Sequence, residues 1–159
     1  VPKTKEALNE QTAAIMLYML RGATEERNGT GLGLYRWDLR TGNQIAAKTG
    51  TTSNYSDGWF MGITKHLVAG AWVGAEERSI HFRSIALGSG SRMAMPIWGL
   101  FMQKAYADST LGYEKGPFES DVDIKIELDC SKFNNPYTAD TIDADIPEFD
   151  KGPDRDIFN

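Results

Sequence analysis

An antiparallel α+β fold is the architecture this sequence predicts. Three short apolar runs, 44–52, 58–64 and 67–74, follow one another with only turn residues between them, and an apolar helical segment lies on either side. Runs joined by such short turns form hairpins rather than crossovers, which gives an antiparallel sheet of about three strands packed by two helices. The 159 residues are 41% hydrophobic with 16 glycines, a composition and length that support one buried core.

The first helix is expected over residues 4–21. Leu8, Ile15 and Met19, with Met16 and Leu20 beside them, recur at helical spacing and form the stripe expected to pack on the core, and Gly22 supplies a stop. Residues 22–43 are polar and glycine-rich and read as loop, with a short strand around 34–39. In the second apolar run, alternation sets Trp59, Met61 and Ile63 on one face and Phe60 and Gly62 on the other. Trp59 and Phe60 read as core strand residues and Asp57 as a turn residue. A polar connection spans 75–90, broken by Ile85-Ala86-Leu87. The second helix runs from Ala94 to Tyr106, since Pro96 is tolerated in a first turn, and Ile97, Leu100, Phe101 and Ala105 form its expected buried face.

After Pro117 the composition changes. Residues 1–118 hold 13 Lys/Arg against 10 Asp/Glu, net +3, whereas 119–159 hold 4 against 12, net −8. The expected organisation is one folded portion, 1–118, and an acidic, extended or partly disordered tail, 119–159. No basic stripe marks a phosphate-backbone binder, so nucleic acid is not an expected partner. The single cysteine, Cys130, excludes an internal disulfide framework. His66 and His81 lie fifteen residues apart without a Cys or acidic partner at ligand spacing, so no metal site is expected. The longest apolar run, Ala13–Leu20, has eight residues, far short of the roughly 20 that span a bilayer. Val1-Pro2-Lys3 opens onto a polar segment, unlike a secretory signal.

Chemistry concentrates in Ala46-Ala47-Lys48-Thr49-Gly50-Thr51-Thr52. Gly42 to Thr49 differs from a phosphate-binding G-x-x-x-x-G-K-[ST] loop at Ala47, but Gly50-Thr51-Thr52-Ser53-Asn54 opposes the helix such a loop must launch. Gly29-Thr30-Gly31-Leu32-Gly33 likewise lacks the spacing of a dinucleotide loop. The other reading is the Lys-Thr-Gly strand of serine acyl-transfer enzymes that bind penicillin. By chance alone those three residues occur in roughly one chain in thirty of this length, so their context decides.

That context is Asp57-Gly58-Trp59-Phe60-Met61-Gly62, then Ala71-Trp72-Val73-Gly74, then Met95-Pro96-Ile97-Trp98 with Phe101-Met102, preceded by Met19-Leu20-Arg21-Gly22 and Gly29-Thr30-Gly31. In this order, over roughly residues 8–118, the chain resembles the C-terminal transpeptidase region of class A (bifunctional) penicillin-binding proteins. The resemblance implies a part of the penicillin-binding transpeptidase and serine β-lactamase-like fold, with the Lys-Thr-Gly strand at the edge of a cleft. It implies an enzyme at the periplasmic face of the bacterial inner membrane, its anchor and glycosyltransferase domain outside this chain. A serine would attack the D-Ala-D-Ala stem peptides of peptidoglycan, and β-lactams would acylate the same serine. No cofactor is implied.

Carried onto this sequence, the resemblance makes Lys48 a cation beside the nucleophile. Thr49 and Thr51 would offer hydroxyls to the substrate carboxylate, Gly50 would give the extended substrate room, and the Thr51 backbone N–H would donate to the oxyanion. The family also needs S-x-x-K and S-x-N, and no serine here has Lys three or Asn two residues on. The nucleophile is therefore expected upstream, in a missing N-terminal part of the same protein, and this chain alone is expected to be inactive. Without that part, one sheet face would expose apolar surface drawn from Trp59, Phe60, Leu67 and Trp72, inviting self-association. A β-lactamase, and a non-catalytic sheet domain binding a protein or cell-wall partner, are the competing readings.

Overall fold

A computed structural model of the chain describes residues 7–119, 122–129 and 132. Helix α1, Glu10–Glu25, begins where Asn9 accepts a hydrogen bond from the Thr12 N–H on its side-chain Oδ1 at 2.8 Å, satisfying one of the orphan donors of the first turn. It starts later and ends later than the apolar spacing suggests. Gly22 sits inside the helix, because the last turn is anchored from outside: the Thr24 hydroxyl, fully buried, donates to the Ile45 carbonyl at 2.5 Å. The predicted core stripe is not buried as a stripe. Leu8, Met16 and Met19 are exposed, and α1 meets the core through its C-terminal end, at Ala23 and Thr24.

Residues 34–39 do not form the expected strand. A 3-10 helix spans Leu32–Trp37, and Asp38 follows in the left-handed region at φ 52°. Strand alternation from Leu34 would have aimed Arg36 and Asp38 at the core. The 3-10 turn instead stacks Leu34 and Trp37 one above the other, three residues apart, and leaves Tyr35 and Arg36 in solvent.

The sheet is the predicted antiparallel meander: β1 (Ala46–Thr51), β2 (Gly58–Ile63) and β3 (Val68–Val73), in the order β1-β2-β3. Thr49 pairs with Phe60 and Phe60 with Ala71, while Gly50 pairs with Trp59 and Trp59 with Trp72. One face is core, built on Ala47, Phe60 and Ala71. Phe60 is wholly buried, against the expectation that it could belong to a bared face, and Leu67 packs on the core as well. Trp59 and Trp72 are the two that are exposed, joined on that outer face by Met61 and Val68, so Trp59 is not the core residue expected. Their rings tilt together at 6.5 Å.

After β3, the polar connection contains two single helical turns, α2 (Ile85–Gly88) and α3 (Gly90–Met93), which lead into α4 (Met95–Ala107) with Pro96 in its first turn. The buried face of α4 is Met95, Trp98, Gly99, Met102 and Ala105. Of the expected face only Ala105 is buried; Ile97, Leu100 and Phe101 are each about half exposed. The segment is apolar nearly all round, so both stripes satisfy helical spacing, and shape chooses between them. Trp98 fits under β2 at Gly62, where an added Cβ would stand 2.3 Å from the indole ring; the ring meets Phe60 at a tilt, 5.2 Å between centroids, and its Nε1–H donates to the Ala69 carbonyl at 3.0 Å.

The chain then returns beside the start of β1. Gln44 N–H donates to the Gly116 carbonyl, Gly116 N–H to Asn43 Oδ1 and Phe118 N–H to Gln44 Oε1. Lys115 bonds the Asp38 carbonyl and carboxylate, and Lys65 pairs with Glu119 at 2.5 Å. Residues up to Ile124 belong to one compact unit. Most of the expected acidic tail, 119–159, and Cys130 with it, lies outside the described residues. Among the described residues no helix is long and apolar enough to cross a membrane.

Candidate functional site

The Lys48-Thr49-Gly50-Thr51 stretch forms β1, which pairs only with β2 among the described residues and so presents one open edge. The backbone direction at each position follows from the turn. Thr52 N–H donates to the Asp57 carbonyl at 3.1 Å, making 52 and 57 a bonded pair. Antiparallel alternation then commits the backbone groups of Lys48 and Gly50 to β2 and turns those of Thr49 and Thr51 to the open edge. The Thr51 N–H therefore faces the open edge and not β2.

The side chains divide by parity. Lys48 and Gly50 share the outer face with Trp59 and Met61; Thr49 and Thr51 share the inner face with Phe60. Lys48 is exposed, and its Nζ donates to the carbonyl of Thr49 at 2.6 Å, folding back over the strand edge. Among the described residues no carboxylate pairs with it. The Thr49 hydroxyl reaches the Thr30 hydroxyl at 3.2 Å, which brings the Gly29-Thr30-Gly31 loop to the site. The Thr51 hydroxyl accepts the Gly90 N–H at 2.9 Å, tying the start of α3 to the end of the strand. Gly90 fits there because it has no side chain: a Cβ would lie 2.4 Å from the carbonyl oxygens of both Gly50 and Trp59.

Beyond Thr51 the turn is held by a compact polar network. Ser56, buried, donates to Asp57 Oδ2 at 2.7 Å, and the Ser56 and Asp57 N–H groups both reach the Thr52 hydroxyl, so Asp57 is the turn residue expected. Two side chains that sequence reading passed over, Glu76 and Arg78, border the site from the loop after β3, in a cleft they share with Gly50, Thr51, Asp57 and Trp59. They sat in a stretch that carries no periodicity and no motif, and only the β3 register brings them beside β1.

The chain matches no protein-family model. It is 33% identical over 103 residues to penicillin-binding protein 1A of Aquifex aeolicus, covering 65% of this chain and 13% of that protein. To penicillin-binding protein 1A of Pseudomonas aeruginosa it is 36% identical over 107 residues, covering 65% and 12%. The match to that of Vibrio cholerae is longer and more distant, 27% over 158 residues, covering 89% and 19%. The chain therefore spans less than a fifth of the length of these relatives. A crystal structure of penicillin-binding protein 1A from Haemophilus influenzae shares the fold at a TM-score of 0.56 and 22% identity, covering 74% of this chain and 17% of that one. Over about 65% of its length, the chain is homologous to a short stretch of penicillin-binding protein 1A.

Proposed function

We propose that this segment is one wall of the active site of a serine acyl-transfer enzyme that builds the bacterial cell wall, a transpeptidase acting on D-Ala-D-Ala stem peptides and blocked by β-lactams. The observation that carries the reading is the open edge of β1, where an exposed Lys48, with no carboxylate partner among the described residues, lies on the same strand as the outward backbone N–H of Thr51. An anionic, extended substrate can pair with such an edge, with its carboxylate drawn to the ammonium and its carbonyl oxygen to the N–H. Gly50 leaves the face between them bare. Lys48 attracts the substrate carboxylate and lowers the pKa of a neighbouring nucleophile through its charge. Thr49 and Thr51 offer polar contacts at the same edge, although in this structure both hydroxyls already have partners.

The nucleophile comes from outside this chain, which holds neither S-x-x-K nor S-x-N. The full-length protein would carry these upstream, with a glycosyltransferase domain and an anchor at the periplasmic face of the inner membrane, as homology to penicillin-binding protein 1A supports. Intact-mass spectrometry after incubation with a penicillin tests the reading. An adduct is expected on the full-length protein and none on this 159-residue chain. A full-length protein that takes no adduct would return Lys48 to an ordinary strand lysine, and the exposed Trp59, Met61, Val68 and Trp72 would then favour a partner-binding sheet domain.

A further inference from the structure

We propose that Thr30 is a positioning residue for this site: by turning from hydrogen-bond acceptor to donor, it frees the Thr49 hydroxyl to bond the carboxylate of a ligand at the open edge of β1. The inference rests on the acyl-transfer reading and adds to it a residue outside the Lys-Thr-Gly strand.

The two threonine hydroxyls of β1 are engaged in opposite senses. Thr51 accepts from the Gly90 N–H and so keeps its own hydrogen. Thr49 donates its single hydrogen to the Thr30 hydroxyl at 3.2 Å and is left with lone pairs only. A carboxylate brings acceptors and no hydrogen, so lone pairs cannot hold it. One rotation on each side removes the conflict. Thr49 turns its hydrogen to the carboxylate, and Thr30 turns its own hydrogen to the Thr49 oxygen. No proton changes hands, since each hydroxyl keeps its hydrogen. Two aligned hydrogen bonds then end on a charge, and each polarises the other.

Only a hydroxyl held in place can act this way, and the loop that carries Thr30 is held. Gly31 N–H donates to the Ala23 carbonyl at 2.7 Å and Gly29 N–H to the Glu26 carbonyl at 2.9 Å, which pins the residue on either side of Thr30 to the end of α1. The approach is close: a Cβ on Gly29 would stand 2.3 Å from the Ala23 carbonyl oxygen, and one on Gly31 would lie 2.9 Å from the Thr24 methyl. The same end of α1 is fastened to the strand, because buried Thr24 donates to the carbonyl of Ile45, the residue before β1. Loop and strand therefore share one anchor, and that anchor sets the Thr30 hydroxyl against Thr49. Thr30 itself is exposed, so its side chain is not held there by core packing.

The test is the rate at which a penicillin, whose carboxylate is the anionic group, acylates the full-length protein, followed by intact mass. Thr30→Val removes the hydroxyl at nearly constant shape and should slow acylation about fivefold, the effect of one hydrogen bond on a charged partner. Thr30→Ser restores the hydroxyl and should stay within about twofold of wild type. In a Thr49→Val background no hydroxyl remains to be turned, so adding Thr30→Val should change the rate by less than about twofold. A merely structural role for the loop would slow both backgrounds alike. Thr30→Ala gives the same comparison if the valine variant does not fold. A wild-type rate in Thr30→Val, equal slowing in both backgrounds, or no rescue by Thr30→Ser overturns the role of Thr30 alone. A wild-type protein that takes no penicillin overturns acyl transfer, and the role of Thr30 with it.

Discussion

At the scale of single residues, the site is held by contacts that cross between distant parts of the chain. The Thr51 hydroxyl is the acceptor for the buried Gly90 N–H, so Thr51→Val should leave that donor unsatisfied and cost about 1–3 kcal/mol in chemical denaturation. Gly90→Ala sets a methyl against two backbone oxygens that have no rotamer to escape into, and should cost a further ~1–3 kcal/mol. A wild-type midpoint for both variants would show that α3 does not seat on the strand. Outside the site, a hydrogen bond from Thr41 and then the Lys115 ammonium hold the Asp38 carboxyl below its ordinary value. A depressed carboxylate contributes stability above its unfolded pKa, and that contribution is lost as the pH falls through the folded one. Asp38 is fully exposed, so the effect on stability is slight. The direct readout is the Asp38 carboxyl resonance, which should titrate below the free-aspartate value in wild type and return towards it in Lys115→Ala.

At the scale of elements, α4 is the informative case. Its face is chosen by the Trp98 ring lying under Gly62 and against Phe60, a fit of shapes that no count of apolar residues contains. Met102→Ala, on the buried face, should therefore cost about 2–5 kcal/mol, whereas Leu100→Gln, on the half-exposed face, should stay within about 0.5 kcal/mol. Equal costs would mean that both faces are covered. Helix α1 shows the same division of labour. Its existence was legible in the spacing of Ile15, Met19 and Leu20, but its end was not, because Thr24 is drawn on by a carbonyl twenty-one residues away.

At the scale of the whole molecule, the outer face of the sheet carries Trp59, Met61, Val68 and Trp72 in solvent, and both outer strands have open edges among the described residues. Strand β3 has neither a charge nor a proline to discourage pairing. The 159-residue chain should self-associate with rising concentration in sedimentation equilibrium, and Trp72→Lys should shift it towards monomer. A wild-type chain that stays monomeric across the micromolar range would mean that this face is covered.

The sequence by itself determined the antiparallel sheet, the separation of Trp59 and Met61 from Phe60 onto opposite faces, and the strand that carries Lys48. Those are properties of period two and of the turn residues between the runs, and they are local. The same local signal found the Lys-Thr-Gly strand and, in combination with its neighbours, the family to which the segment is homologous. Tertiary structure decided which face of α4 is buried, that Leu32–Trp37 coils into a 3-10 helix, and that Glu76 and Arg78 come to stand beside Gly50. Each of these depends on a partner far away in sequence: the groove at Gly62, the core position open to Leu34, and the register that carries the loop after β3 back to the end of β1. Periodicity measures a segment against itself, and it holds no record of the surface that segment will meet.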